Sequence, residues 1–170
     1  AASLALLTVQ EQRRARDAGE EPSDSLAAEF DLAVRAAERT VGDDDFRCQL
    51  LLGLAYTGAR RFADALPHLE ATHRLDPEDP DSVFTLAMAH QELGHHVRAL
   101  DLARSLLESH PANAAAMNFV GYALAERGQD LEESERLVRA ALAQEPDNGY
   151  YVDSLGWVYY QKGLYDEALK

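Results

Sequence analysis

Six histidines, one cysteine and 30 acidic side chains are the groups in this 170-residue chain that could carry metal or acid–base chemistry. A metal site needs ligands that the backbone brings together. His90 and His95 are five apart, about 140° around a helix, so their spacing puts them on different faces. His68 and His73 have the same separation, and His95 and His96 adjoin in a turn. Neither HExxH nor CxxC occurs, and the run GDDDF at 42–46 lacks the alternating oxygen ligands and central glycine of a calcium loop. Cys48 stands alone, which excludes an internal disulfide and a cysteine-based zinc site. No histidine is spaced to activate its thiol from the same helix. A GxSxG elbow, a phosphate loop and a dinucleotide fingerprint are all missing. The expectation is a protein that is not an enzyme, with no metal and no cofactor, whose acids and histidines are solvated or structural.

Composition narrows the partners. Hydrophobic residues are 46% and charged residues 27% of the chain, as in soluble globular proteins. A net charge of −14 is the reverse of the clustered Lys and Arg that phosphate contacts need, so no nucleic acid is expected. It also disfavours anionic lipid. No run of about 18 apolar residues is present, so no direct membrane insertion by this chain is expected. The opening residues have too short an apolar part and no basic leader for a signal peptide. A single cysteine suits cytoplasm and periplasm alike, and the compartment stays open.

The elements that must position any site are helices. Apolar residues recur at helical spacing nearly throughout, and the breaks fall at Pro, Gly and Asp clusters. A period then emerges. Pro77 and Pro111, Leu52 and Leu86, and Ala65 and Ala99 are each 34 residues apart, and Pro146 follows Pro111 by 35. The extra residue belongs in the turn at Gln129 and Asp130. Each unit reads as two antiparallel helices with a tight turn at Arg60, Gly94, Gly128 or Gly163. The second helix ends before a proline, which cannot continue it. Small residues at Gly53, Ala65, Ala87, Ala99, Gly121, Ser134, Ala141, Gly156 and Ala168 mark close helix approach. Larger ones at Leu52, Tyr56, Phe62, Leu86, Val120, Leu124, Leu155, Tyr159 and Tyr165 fill the space between. One such hairpin cannot bury its own apolar face and must stack on neighbours.

The pattern at Leu155, Gly156, Tyr159, Gly163, Tyr165 and Ala168 resembles the tetratricopeptide repeat. The resemblance covers 46–79, 80–113, 114–148 and a truncated 149–170. It departs where Gln49, Val83, Met117 and Val152 hold a position often occupied by Trp, and where His90 replaces Tyr. It implies an all-α fold, a right-handed superhelical solenoid of antiparallel helix pairs. Residues 1–45 do not fit the period. They read as two helices, roughly Ala2 to Ala18 and Ser25 to Val41, forming a divergent repeat or a cap. Because the pattern stops inside the last unit's second helix, the expectation is a piece of a larger protein, with self-association through that end.

In such stacks the first helix of each unit lines the concave side. Spacing i, i+3, i+7, i+10 then selects Arg47, Leu50, Leu54 and Thr57; Asp81, Phe84, Met88 and Gln91; Ala115, Asn118, Tyr122 and Ala125; and Tyr150, Asp153, Trp157 and Tyr160. The result is an apolar and aromatic floor with few charges, which marks a binding surface for a protein or peptide segment. Family members that clamp acidic chaperone C-termini use Lys, Arg and Asn in the groove. Only Arg47 is basic here, so a segment with apolar anchors fits better. Met88 would adapt to it, and Trp157 would anchor it.

The C-terminal half, through Gly121-Tyr122-Ala123-Leu124 and Asp153-Ser154-Leu155-Gly156-Trp157, is similar to bacterial outer-membrane tetratricopeptide lipoproteins. Some of these are adaptors of a periplasmic carboxyl-terminal-processing protease. The expected function is therefore a non-catalytic interaction scaffold or adaptor. The alternatives are a structural or self-assembly module, and the regulatory arm of an enzyme whose catalytic domain lies outside this chain.

Overall fold

The computed structural model describes residues 2–19, 23–39 and 45–169. Ten α-helices run through them: α1 Ala2–Asp17, α2 Asp24–Glu38, α3 Phe46–Gly58, α4 Phe62–Leu75, α5 Pro80–Glu92, α6 His96–Ser109, α7 Ala114–Glu126, α8 Leu131–Gln144, α9 Gly149–Gln161 and α10 Tyr165–Ala168. No strand occurs among the described residues, and no helix there is long and apolar enough to cross a membrane. The helices group into two compact units, one through His95 and one from His96.

The local reason for the start of each repeat's first helix is a side-chain cap. Asp45, Asp79, Asn113 and Asn148 precede α3, α5, α7 and α9, and each side chain accepts from a backbone N–H of the first turn. That satisfies a donor which would otherwise have no partner. These four caps follow one another at 34, 34 and 35 residues, in step with the prolines, so the period is also a period of capping groups. Pro80 opens α5, where its missing N–H costs nothing.

The helix ends repeat as well. Arg60, Gly94, Gly128 and Gly163 all have positive φ, between 59° and 77°. The residue after each donates to the carbonyl five residues back: Arg61 to Tyr56, His95 to His90, Gln129 to Leu124 and Leu164 to Tyr159, at 2.8–3.0 Å. This is the Schellman closure, which favours glycine because a Cβ is strained there. Arg60 tolerates that conformation while its guanidinium bonds Glu92 at 3.1 Å. The residue inserted in the third repeat lies in its turn, where Asp130 adopts a left-handed φ of 39° and caps α8 through Glu133 N.

In the first unit, α3 packs on α4 with Leu52 and Leu69 fully buried. Gly53 makes the approach possible, since a Cβ there would lie 2.5 Å from Leu69 Cδ2. Gln49, in the position often taken by Trp, is buried and satisfied: its Oε1 is 2.7 Å from His68 Nδ1. The His68 ring stacks on Tyr56, whose hydroxyl donates to Glu38 Oε1 at 2.6 Å. Burial, reinforced by the Glu38 carboxylate, pushes the Tyr56 phenol well above its ordinary value. The N-terminal pair packs as a hairpin, and α1 also lies on α3, with Val9 Cγ1 where a Cβ on Gly58 would come within 2.5 Å. The expected span of the second helix ran to Val41, but Thr40 and Val41 lie outside the described residues; the helix itself ends at Glu38.

In the second unit, α7 closes on α8 through Gly121 and Ser134, whose hydroxyl donates to the Gly121 carbonyl at 2.6 Å. Ala103, Val120, Leu124 and Leu137 form one buried cluster, and Ala125, Val138 and Val158 another. Tyr165 departs from expectation. Its spacing assigns it to the space between helices, yet it is 60% exposed. The Tyr165 ring turns toward Tyr160 instead, with centroids 5.5 Å apart.

Candidate functional site

In the unit through His95, the first helices α3 and α5 and the N-terminal helix α1 enclose a cleft of about 540 Å³. Leu54 and Thr57 come from α3, Phe84 and Met88 from α5, and Arg13 and Asp17 from α1. Helical spacing placed the first four on one face, and the structure lines one cleft with them. Leu50 is half-buried but does not line it. Arg13 and Asp17 were not found from sequence. They sit one turn apart near the end of α1, and only the packing of α1 on α3 brings them to the cleft. The Arg60–Glu92 pair closes one edge. Thr57 Oγ1 is buried at the cleft and has no hydrogen-bond partner.

The unit from His96 presents a different surface on α7 and α9. Tyr150 is 82% exposed, Tyr160 52%, and Tyr122 and Trp157 37% each. The Trp157 and Tyr160 rings stack, centroids 5.3 Å apart and planes 15° from parallel. Asp153 is exposed one turn before Trp157, and Glu126 is exposed one turn after Tyr122. Asn118 is half-buried, and its Oδ1 has no partner. Ala125 corrects the expectation that it faces the groove: it is fully buried against Val138 and Val158. Leu155 and Tyr159 point the other way from Trp157 and line a second cleft of about 490 Å³, with Asp153 at its rim.

His90 and His95 require a second correction. Their spacing predicted different faces, but the Nδ1 atoms are 3.2 Å apart. The angular argument holds only inside a helix. His95 lies beyond the end of α5, and the Schellman turn at Gly94 folds it back. Among the described residues no group of three or more His, Cys, Asp or Glu side chains is placed to hold a metal. Cys48 is half-buried, and its hydrogen bond with Asp45 pushes the thiol up, away from the thiolate that a nucleophile needs.

Some first-helix side chains thus line a cleft in one unit and stand exposed in the other, and comparison with known proteins supplies the family frame. The chain is 30% identical over 92 residues to the TPR repeat-containing protein PA4667 of Pseudomonas aeruginosa, a match spanning 54% of this chain and 16% of that protein. It is 34% identical over 103 residues to the cytochrome c-type biogenesis protein CycH of Rhizobium meliloti, spanning 61% of this chain and 26% of that protein. The matched stretch is thus about a quarter or less of either relative. Among solved structures, MamA superposes with a TM-score of 0.73 at 22% identity, covering 84% of each chain. A second MamA structure gives 0.73 at 20% identity, covering 99% of this chain and 86% of that one. At such identity the likeness concerns the fold alone. Family models for the tetratricopeptide repeat match residues 27–81, 56–121 and 125–170, and with the period, caps and turns in place the chain belongs to the tetratricopeptide repeat family.

Proposed function

We propose that this chain is a non-catalytic interaction scaffold whose units each offer first-helix side chains to a segment of a partner protein. The observation that carries the reading is the exposure of Tyr150, Trp157 and Tyr160 on one helix. Large aromatic side chains left in water at regular helical positions are costly unless something covers them, and Trp and Tyr dominate protein-binding hot spots. The cleft with Leu54, Phe84 and Met88 supports the same reading, because it offers an apolar pocket for an anchor side chain.

The test is affinity capture from a lysate of the source cell, wild type beside Phe84→Ala/Trp157→Ala, with mass spectrometry of both eluates and circular dichroism of both proteins. A protein retained by the wild type and lost by a still-helical variant supports the groove. Identical eluates would sink the reading. Loss of oligomers rather than of a partner would favour self-assembly.

A further inference from the structure

At two of its buried or half-buried tyrosines, Tyr56 and Tyr159, this chain sets its own guanidinium beside ring and carboxylate. Arg61 lies over Tyr56 at 5.0 Å and bonds Asp64 at 2.8 Å. Arg139 lies over Tyr159 at 5.6 Å and bonds Glu135 at 2.7 Å. Ring, acid and arginine recur together because the ring face attracts a cation and the carboxylate accepts its N–H groups.

The α7/α9 face has the first two members and lacks the third. Tyr122, Tyr150, Trp157 and Tyr160 present their rings, and among the described residues no Arg or Lys lies over any of them. Asp153 and Glu126 share the turns of Trp157 and Tyr122 and make no ion pair. The charged groups at these positions are acceptors only, and a guanidinium is a donor only. Resting on the groove reading above, we infer that the α7/α9 face takes a cationic segment of a partner protein, seating arginines against its exposed rings, with Asp153 beside Trp157 and Glu126 beside Tyr122 as their separate counter-charges.

The chain's single tryptophan makes the test site-specific, because emission reports on Trp157 alone. The probe is a capped peptide of four Gly-Arg-Leu repeats, titrated beside the same peptide with Gln for Arg and with Glu for Arg. The Arg peptide should change the emission saturably and bind about tenfold or more tighter than the Gln peptide, with the Glu peptide weakest. Glu126→Gln/Asp153→Asn should lose about tenfold for the Arg peptide. Asp101→Asn/Glu108→Gln on α6 removes as much charge elsewhere in the unit and should stay within about twofold of wild type. Equal weakening by the two double variants would mean attraction to the net charge alone and overturn the inference. If the Gln peptide binds as tightly as the Arg peptide, the cationic inference falls while the groove reading stands. If no peptide alters the emission, both fall.

Discussion

The hairpins α7/α8 and α9/α10 carry the same small residue at the same place, and only one of them closes. A Cβ added to Gly121 would lie 2.6 Å from Val138 Cγ2, 3.0 Å from the Ser134 carbonyl and 3.3 Å from the Val138 backbone nitrogen. Added to Gly156, it would meet nothing nearer than the Ala168 carbonyl at 3.6 Å. Val120 and Leu124 are buried behind the first contact, whereas Leu155 and Tyr159 are half-buried behind the second. The motif residues set where two helices would touch. The partner helix decides whether they do: α8 sets Ser134 and Val138 against Gly121, whereas only the Ala168 carbonyl comes near Gly156.

The sharpest way to break this comparison is to add the missing methyl group at both places. At Gly121 the neighbours include backbone, which cannot swing aside, so Gly121→Ala should cost about 2–3 kcal/mol of stability. The intrinsic preference of Ala for helix returns at most about 1 kcal/mol of the strain. Gly156→Ala meets only ordinary contact and should be neutral or stabilise by up to about 1 kcal/mol. Urea unfolding of the two variants reads the difference directly. Equal losses would show that α9 and α10 are as tightly closed as α7 and α8.

A smaller effect separates the same hairpins through serine. The Ser134 hydroxyl crosses between helices to the Gly121 carbonyl, while the Ser154 hydroxyl returns to Tyr150 O one turn back on its own helix, at 2.8 Å. Ser134→Ala removes a buried interhelical bond and should cost about 1 kcal/mol. Ser154→Ala exchanges a bond that competes with helix geometry for a better helix former, and should fall within about 0.5 kcal/mol of wild type. A larger loss at Ser154 than at Ser134 would reverse the assignment of which contact holds the fold.

These contrasts also mark how far sequence reaches. The period, the turn positions and the small residues were legible because each answers to a local requirement: a proline that stops a helix, a left-handed turn residue, a contact with no room for a side chain. Leu54, Thr57, Phe84 and Met88 could be grouped because helical spacing is rigid within an element. Arg13 and Asp17 could not be found, since their place at the cleft depends on α1 lying on α3, which no spacing encodes. His90 and His95 were separated by an angular rule that stops at the helix end. Tyr165 was assigned to an interior, but its ring turns to the surface beside Tyr160, and Ala125 was assigned to a groove from which Val138 and Val158 exclude it. The failures all concern contacts between elements or beyond their ends.

The weakest effect concerns what holds α9 where α10 does not. Lys162, at the end of α9, donates to Glu135 Oε2 of α8 at 2.8 Å and lies 3.4 Å from Glu132 Oε1. Arg139 donates to the other Glu135 oxygen at 2.7 Å and also to the Tyr159 hydroxyl. The Lys162 bond first, and then the Arg139 bond, hold the Glu135 carboxyl below its ordinary value of 4.5. A depressed carboxylate stabilises the fold above its unfolded value and loses that contribution as pH falls through the folded one. The stability gap between wild type and Glu135→Gln should therefore be constant from neutral pH down to about 5, then shrink as the solution is acidified further. Partial exposure of the network keeps the gap smaller than the loss at Ser134. Added salt should narrow it at neutral pH. A gap that persists unchanged at low pH would mean that Glu135 holds α9 by packing rather than by charge, and α9 would then owe its position to contacts of the same kind as Gly121.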